Sequence, residues 1–300
     1  MHNFYSPVSF VKADNCSEIA VKLAIQNSLK LIRFEIPKNV ERIVIKPNLC
    51  YYWDYSTGYT TDPKFVAALI NFIREQTSPN VEISIVESDA SAMKCRYAFP
   101  LLGYEKMAEE LNVNLINLSE DQTENFPVTI NGQHSNISVP KTIQNADLRV
   151  NVPKIKYMDR VTITCALKNI FGCNPIPLKY KFHSKLDETI VALNKAMKFD
   201  LHILDGLIVL GAFPRRLNLV MASTDPVAFD SAAARIAGER PSKIRHITMA
   251  QKERLGNIRY EPIGLDPSVI EKEFPKKKTS EKIVTSAYNL ALKTGILKSP

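Results

Sequence analysis

Lysine, asparagine and carboxylate side chains recur in this sequence just beyond short apolar runs. Arg42-Ile43-Val44-Ile45 leads into Lys46-Pro47-Asn48, and Val81–Val86 leads into Glu87-Ser88-Asp89. Leu148–Val152 contains Asn151 and runs into Pro153-Lys154-Ile155-Lys156, and Leu201–Ile208 reads as a strand ending near Asp205-Gly206. Each run reads as a buried strand, and in open α/β sheets ligands bind beyond the strands' carboxyl ends. Ammonium groups gathered there, beside helix N-termini, suit phosphate or carboxylate. Charged residues also flank strands simply because the chain exits into water, so the weight rests on the whole set.

The densest segment is Thr162-Ile163-Thr164-Cys165-Ala166-Leu167-Lys168-Asn169-Ile170-Phe171-Gly172. Its spacing predicts a helix over 161–171, with Lys168 and Thr164 on one face and Asn169 beside them. A lysine in apolar surroundings has a depressed pKa and can act as base, nucleophile or substrate clamp; the alternative is a side chain that snorkels to the surface. His183 follows Lys179, Lys181 and Phe182 in a stretch broken by Pro175 and Pro177, where it could serve as general acid/base or metal ligand. Asp62 precedes Pro63 and Asp225 precedes Pro226, both reading as helix N-caps with proline in the first turn. Asp230, among Val227, Ala228, Phe229, Ala232 and Ala233, is expected to face the cleft.

The elements that must position these groups alternate. Ser17 to Lys30 has helical periodicity with Asn15 or Ser17 as cap, strand 42–45 follows, and Asp62-Pro63 opens a second helix. Strand 81–86, a helix near 104–111 and a strand over 114–118 continue a β-α-β-α-β order, which argues a parallel sheet with helices on its faces. Thr123–Val139 carries Asn131-Gly132 between two alternating runs, the signal of a β-hairpin. Strand 148–152, helix 189–197, strands 201–208 and 220–223, helix 227–237 and a late amphipathic helix over 282–292 complete the reading. The fold class is therefore α/β, a mostly parallel sheet with helices on both faces and a small β-hairpin flap or lobe. The 300 residues are expected to form a single α/β unit, divisible into lobes of about 1–118 and 146–300 with the flap at about 119–145.

Composition narrows the class. A hydrophobic share of 45% with only 10 glycines leaves enough apolar matter for a sizeable core. The first twelve residues break their apolar positions with His2, Asn3, Ser6 and Pro7, unlike a secretory signal, and no apolar run nears the ~20 residues of a membrane helix. A cytoplasmic location, with no membrane partner, follows as an expectation. Five scattered cysteines with no C-x-x-C pair encode no zinc ribbon and no four-cysteine iron–sulfur motif. Gly-rich phosphate loops, dinucleotide fingerprints and the G-x-S-x-G elbow are also missing. A net charge of +8, partly from Lys276-Lys277-Lys278, offers weak non-specific attraction to nucleic acid, but no recognition helix or aromatic-interleaved basic stripe makes it a partner.

Taken in order, Ile45-Lys46-Pro47-Asn48-Leu49, Thr61-Asp62-Pro63, Asn151-Val152-Pro153-Lys154-Ile155-Lys156, Ala166-Leu167-Lys168-Asn169-Ile170-Phe171-Gly172, His183, Asp205-Gly206 and Ala222-Ser223-Thr224-Asp225-Pro226-Val227-Ala228-Phe229-Asp230 resemble the family catalogued as domain of unknown function 362, from about Arg42 to Gly256. Many members carry an appended four-cysteine cluster domain, which these residues do not encode. More distantly the family is similar to the catalytic domain of nickel-pincer lactate racemases, where a lysine binds the cofactor and a later histidine lies near the metal; that resemblance sets Lys168 and His183 at comparable places. Many members follow the Asn-x-Pro-Lys-x-Lys stretch with a histidine. Met158 replaces it here, which the resemblance leaves for Tyr157 to supply as an acid.

The leading reading is an enzyme acting on a small carboxylate or phosphate. Lys168, His183 and Tyr157 would do acid–base chemistry, while Lys46, Asn48, Asn151, Lys154, Lys156 and Asn169 would hold and orient the anion. A second reading is a metal- or cofactor-dependent isomerase or racemase, with a divalent metal held by His183 and Asp62, Glu87, Asp89 or Asp230. A third is a non-enzymatic binder of a small ligand or, weakly, of nucleic acid.

Overall fold

The computed structural model describes residues 5–276 other than Pro79 and Asp159; the helix expected over 282–292 lies outside them. The chain begins with strand β1 (Ser6–Lys12) and helix α1 (Glu18–Leu31), then β2 (Arg42–Pro47), α2 (Pro63–Gln76), β3 (Glu82–Glu87), α3 (Cys95–Leu101), α4 (Tyr104–Glu110) and β4 (Asn114–Asn117). A hairpin of β5 (Thr123–Ile130) and β6 (Gln133–Pro140) follows, then α5 (Lys141–Gln144) and β7 (Leu148–Val152). The short strands β8 (Lys156–Met158) and β9 (Thr162–Thr164) precede the single turn α6 (Ala166–Asn169), 3-10 turns at Ile170–Cys173 and Lys179–Lys185, and α7 (Leu186–Ala196). The chain continues through β10 (Leu201–Leu210), β11 (Pro214–Ser223), α8 (Pro226–Ile236), α9 (Arg245–Lys252), β12 (Tyr260–Gly264) and α10 (Pro267–Glu273).

The strands build a mixed, mostly parallel α/β sheet in the order β12-β1-β11-β10-β7-β2-β3-β4, with β8 joined to β10 and β9 at one end. Pairings from β10 through β7, β2 and β3 to β4 are all parallel. The pairings of β11 with β10 and with β1 are antiparallel. Side-chain alternation explains the layering. Ile43 and Ile45 pack with Val21, Ile25, Phe65 and Leu69 of α1 and α2. Val44 between them joins the opposite core with Ile190, Phe229 and Ile247 of α7, α8 and α9. The central strands are thus apolar on both faces, as their unbroken runs require. Both N-cap expectations hold: Asp62 accepts the amide of Lys64, and Asp225 those of Val227 and Ala228.

The hairpin β5–β6 forms its own two-stranded sheet. Asn131 and Gly132 sit at φ +48° and +77°, the pair of left-handed residues a two-residue hairpin turn demands.

Three expectations are corrected. Residues 161–171 form no single helix: β9 takes Thr162–Thr164 and α6 starts only at Ala166. The strand β1, in which Val8 and Phe10 are fully buried, arises from a stretch whose polar residues read as broken. Asp205 lies within β10 rather than near its end, because β10 runs on to Leu210. Among the described residues no helix is long and apolar enough to cross a membrane.

Candidate functional site

Beyond the carboxyl ends of β2 and β3 the chain leaves a cavity of about 320 Å³, whose wall includes Lys46, Asn48, Glu87, Lys156, Lys168, Asn169, Gly172, Lys179 and His183. Such a volume suits a small metabolite. Four lysines against one carboxylate make it strongly cationic.

Lys46, the penultimate residue of β2, is 0% exposed. Its ammonium donates to Glu87 Oε2 at 2.7 Å and to the Pro47 carbonyl at 2.5 Å. Glu87 Oε1 also accepts the Ser88 amide at 3.0 Å. This is a buried, hydrogen-bonded ion pair, and removing one member of such a pair costs on the order of 3–5 kcal/mol because the other is stranded. Gly172 is close above it: a Cβ there would lie 2.8 Å from Glu87 Oε1 and 2.9 Å from Lys46 Nζ. Only glycine lets the backbone approach the pair.

Lys156 follows the end of β7 by four residues and projects into the same cavity. Its ammonium donates to the Tyr59 carbonyl at 3.0 Å and stands 5.5 Å from the centre of the Tyr59 ring. Burial lowers its pKa, opposed by the neighbouring Cys50 thiol. Lys179, in the 3-10 turn after Pro177, donates to the Ser88 hydroxyl at 2.5 Å. Ser88 in turn hydrogen-bonds the carbonyl of Asn174 at 2.9 Å and that of Gly172. Burial brings Lys179 down to about 8, with Glu87 opposing and Lys46 reinforcing the shift.

Lys168 differs from the other three: among the described residues no hydrogen bond or ion pair holds its ammonium, whose neighbour is the Phe171 ring at 4.2 Å. Burial, then repulsion from Lys156 and Lys179, lowers its pKa to about 7. A cation–π contact is worth about 0.5–2 kcal/mol in favour of the charged form; desolvation outweighs it here. His183 is an exposed rim residue, kept below its usual pKa by burial and by the charges of Arg160 and Lys168.

Most of the remaining sequence candidates lie elsewhere. The Tyr157 hydroxyl donates to the Ala237 carbonyl, and its ring packs edge-on against Phe274. Alternation along β8 sends it away from the cavity, while Met158 joins the wall. Lys154 pairs with Asp205 at 3.1 Å in a separate polar cleft of about 170 Å³ shared with Asp62, Lys64 and Arg216. There burial, and then the charge of Asp205, raise Asp62 to about 6. Asn151 lies outside the cavity wall, whereas Asn169 lines it, and the two amides are joined in one network. Asn169 Nδ2 donates to Asn151 Oδ1 at 2.7 Å and to the Lys46 carbonyl at 3.2 Å, and Asn151 Nδ2 donates to the Ala166 carbonyl at 3.0 Å. Asp230 does not face the cleft. It is wholly buried and accepts the Ala166 amide at 2.6 Å and the Leu167 amide at 3.2 Å, capping the α6 turn from a distant helix; burial lifts it to about 8.

The proposed metal donors are scattered accordingly. Asp62 and Asp230 lie outside the cavity, Asp89 is held by Lys94 and the Cys95 amide, and Glu87 is committed to Lys46. No group of three or more His, Cys, Asp or Glu among the described residues could hold a metal ion, so the donor set does not fit a protein-held divalent metal. Lys179, Ser88 and Gly172 were not singled out from sequence: Lys179 and Gly172 lie in 3-10 turns and Ser88 in the loop after β3, where no hydrophobic period places a residue.

Fold and cavity together define an α/β protein with a lysine-lined pocket at the carboxyl edge of its parallel strands. The chain belongs to the family described as Domain of unknown function (DUF362), whose model matches residues 43–235. It is 26% identical over 257 residues to a thylakoid-associated protein of Synechocystis sp., covering 81% of this chain and 74% of that one. Among solved structures it is similar to the lactate racemase apoprotein of Thermoanaerobacterium thermosaccharolyticum at 13% identity and a TM-score of 0.46, over 77% of this chain. It spans 57% of that chain's length.

Proposed function

We propose that the protein is an enzyme that takes a small carboxylate or phosphate metabolite into this cavity and moves a proton with Lys168. The observation that carries the reading is the Lys168 ammonium, without a partner among the described residues and lowered to about 7, in a cavity with three further lysines. Lys46 is neutralised by Glu87, so Lys156 and Lys179 are the charges left to hold an anion, and Asn48 lines the same wall. At pH 7 a lysine lowered this far is about half neutral, against roughly 0.03% for an ordinary one, a gain of about a thousandfold in available base. His183 at the rim is the second proton carrier. Grouped ionisable residues with perturbed pKa values inside a cavity are a mark of function.

The single tryptophan supplies a reporter. Trp53 lies 4.1 Å from the Tyr59 ring, which in turn contacts Lys156, and 5.2 Å from the ring of Tyr51, which lines the cavity. Titration with inorganic phosphate and with short carboxylates should change its fluorescence saturably, and Lys156→Met should weaken binding about tenfold or more. Exchange of carbon-bound hydrogen for deuterium in a bound carboxylate should rise with pH through about 7 and vanish in Lys168→Met. Binding with no exchange in any carboxylate tried would leave a binding protein instead of an enzyme. No binding of any anion would end the proposal.

A further inference from the structure

We infer that Lys168 is a carbonyl-condensing nucleophile and that the cavity takes 2-oxo acids, which it holds as an imine. The inference rests on the anion-binding reading above and names its substrate class.

The geometry separates Lys168 from its neighbours. Lys46 is tied to Glu87, Lys179 to Ser88 and Lys156 to the Tyr59 carbonyl. Each of those ammonium groups is held by an acceptor that favours its charged form. Lys168 faces the cavity with an aromatic ring as neighbour and, among the described residues, no acceptor. Neighbouring cations and an apolar pocket are the arrangement that frees an amine lone pair for attack on a carbonyl. The unencumbered lone pair that can accept a proton is equally what a nucleophile needs. The cavity then sorts the substrate. Lys156 and Lys179 offer charge for a carboxylate, while Leu49, Met93, Met158 and Phe171 offer an apolar wall. An anionic head, a carbonyl and a short apolar tail together describe a 2-oxo acid.

The step balances without a further reactant. The neutral amine of Lys168 attacks the carbonyl carbon, and the carbonyl π pair moves to oxygen. Both amine protons leave with that oxygen as water, and the C=N bond forms. A proton from solvent or from Lys179, which is largely charged at pH 7, converts the imine to an iminium. The iminium draws electrons from the adjacent carbon, so a proton there becomes removable.

The experiment is reductive trapping of the full-length protein with cyanoborohydride in the presence of pyruvate or 4-methyl-2-oxopentanoate, followed by peptide mass mapping. Binding is followed in parallel by Trp53 fluorescence, and lactate, with a hydroxyl in place of the carbonyl, is the control. The expected result is one reduced adduct on Lys168, none with lactate, and none in Lys168→Met. Lys156→Met, which keeps the nucleophile, should still trap but at least tenfold more slowly. No adduct at concentrations where fluorescence shows the 2-oxo acid bound would overturn the imine and leave the anion site standing. Adducts spread evenly over surface lysines would overturn it as well. If neither oxo acids, lactate nor phosphate bind, the anion-binding reading falls and the imine with it.

Discussion

Replacing Lys168 with methionine removes a charge that the fold holds at a cost. Lowering a lysine from 10.5 to about 7 corresponds, at about 1.4 kcal/mol per pH unit, to a burden on the order of 5 kcal/mol on the native state. The side chain is partly open to the cavity, and water there screens the charge, which brings the usable figure to about 2 kcal/mol. The sign follows from linkage. Below pH 7 the residue is protonated in folded and unfolded chains alike, and the whole burden is present. Between pH 7 and 10.5 the unfolded chain binds more protons than the folded one, so this group makes stability rise with pH. Above 10.5 nothing of it remains.

Lys168→Met should therefore be more stable than the parent by about 2 kcal/mol at pH 6, which at this chain length is about 4 °C in Tm. The gain should shrink steadily above pH 7 and be gone near pH 10.5. Methionine also suits the site sterically, because a thioether packs well against the Phe171 ring. Urea unfolding followed by circular dichroism, run on both proteins across that range, gives the difference curve directly. A curve that is flat, or a variant less stable at every pH, would refute the reasoning, since either result means that the ammonium is well solvated or paired in the native state.

Two further outcomes follow from the frame around Lys168. Gly172→Ala should abolish anion-dependent Trp53 fluorescence changes and cost about 1–3 kcal/mol through overpacking, because the new Cβ meets the Lys46–Glu87 pair at under 3.0 Å; wild-type binding in that variant would show that the pair has room to move. Asp230, raised from 3.8 to about 8 by burial, holds more protons folded than unfolded between those values, so it makes stability fall as pH rises through that window. Asp230→Asn should flatten this fall while still accepting the Ala166 and Leu167 amides, whereas Asp230→Ala, which leaves them bare, should cost about 1–3 kcal/mol; equal stability of the two variants at pH 8 would remove the capping role.

Much of the sheet was legible because its strands are buried on both faces and read as unbroken apolar runs: Ile43-Val44-Ile45 and Ile83 to Val86 announce themselves. The N-caps at Asp62 and Asp225 were legible for the same local reason. β1 was not, since Ser6, Pro7 and Ser9 interrupt it and only pairing with β11 and β12 makes it a strand. The 161–171 stretch misleads because its apolar residues serve a strand, a single helical turn and a 3-10 turn in succession, and their combined spacing imitates one helix. The list of polar groups at strand ends was sound as a list, but it could not divide itself between sites. Lys154 lies in the irregular link between β7 and β8, where the chain leaves the pleat and period-two alternation no longer applies, so it falls into the cleft with Asp62 and Asp205 while Lys156, at the start of β8, enters the cavity with Lys168.

What fixes the α6 turn explains why Lys168 has no ionic partner among the described residues. The turn that carries it is fixed by groups with little or no charge at neutral pH. Asn194 holds the Leu167 carbonyl at 2.8 Å, and Asn151 holds that of Ala166. His202, driven down to about 3 by burial and so neutral, lies 3.1 Å from the Asn151 amide. Asp230, raised to about 8, is largely protonated at pH 7. Any ionised carboxylate in these places would attract the Lys168 ammonium and restore its ordinary pKa. The one carboxylate in the cavity wall is Glu87, and Lys46 occupies it. Rigid placement of the Lys168 backbone by amides, with no ionised carboxylate of the described residues paired to its side chain, yields a lysine that is both positioned and half neutral at pH 7. Satisfied amides can hold a buried turn without adding a net charge near its lysine, and that is the physical reason asparagines, rather than aspartates, surround this turn.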